Sequence, residues 1–180
     1  SIASNLDHIQ LKQTDIPSVA ALQELRSNSQ AIVSQLSDTI WALKKDAFSL
    51  TAISDRLKVF IQRVQPSYPD VTMDVLEKIQ TDHLLPPSQA FHLFQITQEA
   101  IINALKHSGG KQISVVIEAN QCWKISINDN GNGMTDTSSK KGGGNGLLNM
   151  KNRAKEGGWK IEWLQNEQGG TTVRIATTTN

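Results

Sequence analysis

Gln98-Glu99-Ala100-Ile101-Ile102-Asn103-Ala104-Leu105-Lys106-His107 is the stretch on which the fold turns. At the 100° per residue of a helix, residues 91–107 put His92, Gln95, Glu99, Asn103 and Lys106 on one narrow polar stripe. Leu93, Phe94, Ala100, Ile101, Ala104 and Leu105 cover much of the remaining surface. A helix so apolar is a buried one. Its polar stripe then has to line a wet or ligand-filled cavity, because buried polar groups need partners. Two later glycine clusters are placed to complete such a site: Asp129-Asn130-Gly131-Asn132-Gly133, and Gly142-Gly143-Gly144-Asn145-Gly146-Leu147.

On either side of this helix the pattern changes. Downstream the period drops from 3.6 to 2. Ile113, Val115 and Ile117 alternate with polar residues, as do Trp123, Ile125 and Ile127, with a hairpin expected near Asn120-Gln121. A helix from Leu147 to about Glu156 follows, stopped by Gly157-Gly158. Two further strands run through Trp159, Ile161 and Trp163 and through Thr171, Val173 and Ile175, turning at Gly169-Gly170. Upstream, Ser88 is the expected N-cap behind Pro86-Pro87. Leu50, Ile53, Leu57, Phe60, Ile61 and Val64 mark another helix, ended by Pro66, Pro69 and Asp70. Residues Val71–Val75 and Glu77–Gln80 read as a short strand and a turn. The expected fold is α+β: a two-layer α/β sandwich whose mixed, largely antiparallel sheet carries its helices on one face.

The N-terminal quarter is different. Leu22, Leu25, Ser29, Ile32, Leu36, Thr39 and Leu43 recur at alternating spacings of three and four, a heptad-like stripe. Ile2, Leu6 and Ile9 suggest a shorter helix before it, with Pro17 opening the longer one. Such a hairpin is too short to bury its own stripe. Pairing with a second copy into a four-helix bundle is expected, against the simpler reading of packing on the rest of the chain. The division is therefore 1–45 as a partial helical dimerisation hairpin and 46–180 as a second domain.

Composition narrows the chemistry. The 180 residues are 38% hydrophobic and 19% charged, with a formal net charge of +1, which gives no strong electrostatic case for nucleic acid. The single cysteine, Cys122, excludes an intrachain disulfide and a multi-cysteine zinc site, and in a strand-like run it is expected to be a small packed residue. No run approaches the ~20 apolar residues of a membrane-spanning helix, and no signal peptide is visible. The chain opens inside a helical pattern, so a fragment of a longer protein is expected.

Each polar cluster permits a definite chemistry. Glu99 and Asn103, four apart, point the same way. An asparagine carbonyl is a hard ligand suited to Mg²⁺ that shares phosphate oxygens, a glutamate can accept a proton or orient a nucleophile, and Lys106 can offset phosphate charge. An ionised Asp129 accepts hydrogen bonds only, so it suits an exocyclic amine such as that of adenine. Backbone N–H groups of the Gly142–Gly146 loop, at a helix start, can cradle phosphates. It is neither a Walker A loop nor a dinucleotide fingerprint. Taken singly, these are a polar surface helix, an Asx-Gly turn and a flexible linker. Their order as a set is what is specific.

With those residues in place, the chain resembles the Bergerat-type ATP-binding fold of sensor histidine kinases, gyrase-type topoisomerases, a heat-shock chaperone and mismatch-repair ATPases. Gln98–His107 is similar to its N box, Asp129–Gly133 to its G1 box, Gly142–Leu147 to its G2 box, and Gly170-Thr171-Thr172 to its closing glycine-threonine element. The resemblance implies that Asn103 holds Mg²⁺ and that Glu99 is the catalytic base or water-orienting group. It implies that Asp129 binds the adenine amine with Thr172 in support. Lys106, His107, Gly131, Gly133, Gly144, Gly146 and Leu147 complete the implied ATP site. Gly144-Asn145-Gly146-Leu147-Leu148-Asn149-Met150-Lys151-Asn152-Arg153-Ala154 most resembles short-lid sensor histidine kinases, and Ser37–Leu43 resembles the end of their dimerisation hairpin. That family implies a cytoplasmic kinase core, a homodimer, and a response-regulator receiver domain as partner. The family's phosphoacceptor histidine is followed by an acidic residue, whereas His8 is followed by Ile9, so the acceptor is expected upstream of Ser1. The alternatives are an anti-sigma-type serine kinase of the same fold and a non-catalytic dimerisation module with a vestigial pocket.

Overall fold

The structure is a computed structural model that describes residues 46–133 and 145–177; the expected hairpin of residues 1–45 and the expected glycine loop through Gly142, Gly143 and Gly144 lie outside them. Strands β1 (Phe48–Ser49), β2 (Thr72–Ile79), β3 (Leu84–Leu85), β4 (Gln112–Ala119), β5 (Trp123–Asp129), β6 (Trp159–Gln165) and β7 (Thr171–Thr177) alternate with helices α1 (Leu50–Val64), α2 (Pro87–His107) and α3 (Asn145–Gly157). Five strands form one sheet in the order β2-β4-β5-β7-β6. Only the β2–β4 pair is parallel, so the expected mixed, largely antiparallel α+β sandwich is what the chain forms. A two-stranded ribbon, β1 with β3, ties the start of α1 to the segment before α2.

Alternation puts one face of every strand inward. Ile113, Val115 and Ile117 of β4, Ile125 and Ile127 of β5, and Val173 and Ile175 of β7 are buried against the helices. The helices supply Leu50, Ile53, Leu57, Phe60, Leu93, Phe94, Ile96, Ile101, Met150 and Ala154. Phe60 and Phe94 meet edge to face at 6.5 Å, joining α1 to α2. The opposite sheet face carries ion pairs, Lys124–Glu118 at 3.0 Å between β5 and β4 and Lys160–Glu162 at 2.7 Å along β6.

Three expectations change. β2 is a single eight-residue strand rather than a strand and a turn, since it pairs along its length with β4. Its pattern is broken by Glu77, which lies on the inward face and is satisfied by the Ser54 hydroxyl and by Lys58 Nζ at 2.7 Å. Ser88 is not the N-cap of α2: the helix opens on Pro86-Pro87 with no side-chain cap, Pro87 having no N–H to satisfy. Cys122 is exposed in the β4–β5 turn, not packed in a strand, because that turn takes three residues, closed by Asn120 N donating to Cys122 O at 2.9 Å.

Candidate active site around Asp129 and the α2 polar stripe

β5 is the central strand, and its last residue is Asp129. Although ionisable, Asp129 is only 6% exposed, and a buried carboxylate needs donors. Oδ1 accepts from the Gly131 amide at 2.9 Å and from the Thr171 amide at 3.3 Å. Among the described residues both donors to the carboxylate meet Oδ1, and none meets Oδ2. Gly131 is pressed against the end of α2, where a Cβ would stand 2.1 Å from the Ser108 carbonyl oxygen. Asn132 N donates to the same oxygen at 2.9 Å. Asn130 fixes the loop from the other side, its Oδ1 accepting from the amides of Lys111 and Gln112, both at 2.9 Å. Gly133 has φ of +72°, and a Cβ there would lie 2.7 Å from the Gly169 carbonyl oxygen, so the β5 loop and the β6–β7 turn sit against each other.

The stripe on α2 divides. His92 is taken up by α3: its Nε2 lies 3.1 Å from Glu156 Oε2, and Arg153 lies 3.5 Å from its Nδ1. Gln95 donates to Gln98 Oε1 at 3.2 Å. Asn103 Nδ2 donates to Glu99 Oε1 at 3.3 Å, and none of the described residues donates to Asn103 Oδ1. Both side chains are half-buried, whereas Lys106 and His107 are exposed at the end of the helix. Gly146, at the start of α3, faces Glu99, whose Oε1 would lie 2.2 Å from a Cβ at that position. Leu147 is half-buried beside it in sequence. The structure thus brings Glu99, Asn103 and Gly146 together, and separately joins Asp129, Gly131 and Gly133 to the β6–β7 turn.

Thr172 departs from expectation. It pairs with Asn128 in the β5–β7 register, on the sheet face opposite Asp129, and its hydroxyl donates to Asn128 Oδ1 at 2.7 Å. Thr171, one residue earlier, is the residue whose backbone reaches Asp129. Asn166 is a site residue that the sequence does not single out: its Nδ2 donates to the Asp129 carbonyl at 2.8 Å.

As a cation site, Asn103 offers one hard amide oxygen, which fits Mg²⁺ held mainly by phosphates. Among the described residues no three His, Cys, Asp or Glu side chains could hold a metal by themselves.

A model of the histidine kinase-, DNA gyrase B-, and HSP90-like ATPase family matches residues 88–179. The chain belongs to this ATPase family. Among curated proteins, the sensor protein VraS of Staphylococcus haemolyticus is 37% identical over 106 residues, 58% of this chain and 30% of that protein. The nitrate/nitrite sensor protein NarX of Escherichia coli is 34% identical over 103 residues, 54% of this chain and 17% of that protein. The matched stretch spans less than a third of either relative. Among solved structures, the Acinetobacter baumannii histidine kinase AdeS aligns with a TM-score of 0.64 at 18% identity, covering 99% of this chain and 93% of that one. The ATP binding domain of PrrB from Mycobacterium tuberculosis aligns with a TM-score of 0.57 at 19% identity, covering 73% and 94%. At those identities the likeness shows the ATPase fold. The resemblance to a sensor histidine kinase ATP-binding core is thus met by family, relatives and fold.

Proposed function

We propose that this chain is the ATP-binding core of a sensor histidine kinase, binding Mg·ATP in a cytoplasmic domain of residues 46–180. Its phosphoacceptor would lie on a dimerisation helix of the longer protein. The observation that carries the reading is Asp129: a buried carboxylate on the central strand, held by amides through one oxygen, with the other left for an amine donor. That arrangement favours adenine, which offers an exocyclic N–H, over a base that presents a carbonyl there. Asn103 would supply the protein ligand to Mg²⁺, whose chemistry is to neutralise phosphate charge. Lys106, His107 and the amides of Gly144, Gly146 and Leu147 would surround the phosphates.

In the transfer step an imidazole nitrogen of the acceptor histidine forms a bond to the γ-phosphorus, the bond to the β–γ bridging oxygen breaks, and ADP leaves. Glu99 would take or steer the imidazole proton. Alignment and charge stabilisation supply most of the rate. The phosphoryl group then passes to an aspartate of a response-regulator receiver domain. Family membership and the intact Glu99, Asn103 and Asp129 support this reading over a vestigial pocket.

The test supplies γ-labelled Mg·ATP and a histidine-bearing hairpin from a longer homologous kinase. Acid-labile, alkali-stable phosphate on that hairpin, lost in Glu99→Ala, is expected. Acid-stable phosphoserine would instead support the anti-sigma-type kinase. Without an added acceptor, no stoichiometric phosphate on His8 is expected.

A further inference from the structure

The β6–β7 turn reaches the site from a distant stretch of sequence, and one side chain joins it to Asp129. Asn166 uses both ends of its amide. Its Nδ2 donates to the Asp129 carbonyl at 2.8 Å, while its Oδ1 accepts from Gly170 N at 3.0 Å and Gln168 N at 3.1 Å. Its backbone N–H donates to Gly170 O at 2.9 Å, and Gly169 N donates to its carbonyl at 3.0 Å. The turn is thereby folded around Asn166 and fastened to the end of β5. The approach is close: a Cβ on Gly170 would lie 2.0 Å from the Asp129 carbonyl oxygen. The next residue, Thr171, delivers its amide to Asp129 Oδ1.

We propose that Asn166 is a positioning residue for nucleobase recognition: by clasping the β6–β7 turn to the Asp129 backbone, it sets the direction in which the Asp129 carboxylate meets the base. The proposal rests on the reading of Asp129 as the group that binds the adenine amine. Asn166 itself touches no base. It acts through the Asp129 main chain and through the Thr171 N–H, which holds Oδ1 and so turns Oδ2 toward the ligand. The amide does both jobs in this place. A carboxylate accepts from the turn but cannot donate to a carbonyl, and an alanine does neither.

The experiment titrates the 180-residue chain with ATP and with purine riboside 5′-triphosphate, which lacks only the exocyclic amine, for wild type, Asn166→Ala, Asn166→Asp and Asp129→Asn. Wild type is expected to prefer ATP by about tenfold or more, the size of one hydrogen bond to a charged group. Asn166→Ala should lose most of that preference because ATP weakens, while affinity for the analogue moves less than about twofold, its phosphate contacts being untouched. Asn166→Asp, which retains the acceptor that folds the turn, should show the same loss with a melting temperature near wild type.

A wild-type preference retained in both variants overturns the proposal. So does a parallel weakening of both ligands, which is what a merely structural turn residue gives, and so does failure of both variants to fold. A wild-type chain that binds both nucleotides equally, with Asp129→Asn unchanged, refutes the reading of Asp129 instead and takes the proposal down with it.

Discussion

At the scale of single residues, the site depends on backbone approaches that leave no room for side chains. A Cβ at Gly170 would occupy the space of the Asp129 carbonyl oxygen, and neither partner is a flexible side-chain end that could swing aside. Gly170→Ala is therefore expected to weaken nucleotide binding more than tenfold and to cost about 1–3 kcal/mol of stability, as overpacking does, read by titration and urea unfolding. Thr172→Val is expected to behave oppositely. It leaves Asn128 Oδ1 without its donor, while Nδ2 keeps Ser114, and costs about 1–3 kcal/mol, yet leaves ATP affinity within about twofold, since Thr172 lies across the sheet from Asp129. The contrast shows where sequence reading stops. The Gly-Thr-Thr run is legible as part of a site, but a one-residue shift in register moves a side chain to the other face, and only the pairing of Asn128 with Thr172 fixes it. Asn166 is illegible for a related reason. In Asn-Glu-Gln-Gly-Gly it reads as an ordinary turn former, and its partner is 37 residues away.

At the scale of elements, periodicity carries most of the fold. The helix around Asn103 and the strand through Ile113, Val115 and Ile117 can be read because their apolar residues recur at one period and face one core. β2 reads short because Glu77 interrupts the inward row, and no local pattern shows that Ser54 and Lys58 on another element would satisfy it. The packing of α2 is the mechanical base of the site. Phe94→Ala, at a fully buried ring against Phe60, is expected to cost about 3–5 kcal/mol in urea unfolding. The α2–α3 seam carries a pH dependence. Burial holds the His92 imidazole below its usual value of 6.5, the nearby Glu156 carboxylate opposes this, and the Arg153 guanidinium adds to it. The folded chain thus binds that proton less readily than the unfolded chain. The contribution of neutral His92 is whole above about pH 6.5 and is lost as pH falls through that value toward the lower folded one. The melting temperature of wild type should fall between pH 7.5 and 5.5, and His92→Gln should show a shallower fall. Equal slopes would remove His92 from the account.

At the scale of the whole molecule, we propose that two stretches of sequence divide two functions: pairing of copies in residues 1–45, nucleotide binding in residues 46–180. Light scattering on the complete chain is expected to give twice the chain mass, and residues 46–180 alone are expected to be monomeric with unchanged ATP affinity. A monomeric complete chain would contradict the heptad reading of the first segment. Among the described residues no helix is long and apolar enough to cross a membrane.

We propose that Asp129 and the loops around it form an adenine nucleotide site in which Asn103 draws on Mg²⁺. The most direct measurement is calorimetric titration of the chain with ATP, with and without Mg²⁺, beside Asp129→Asn. The substitution keeps an oxygen for the Gly131 and Thr171 amides but replaces the acceptor offered to the base. Mg²⁺-sensitive binding in the micromolar range, weakened about tenfold or more by Asp129→Asn, is the expected result. Failure of the wild-type chain to bind ATP, or binding that Asp129→Asn leaves unchanged, would contradict the account.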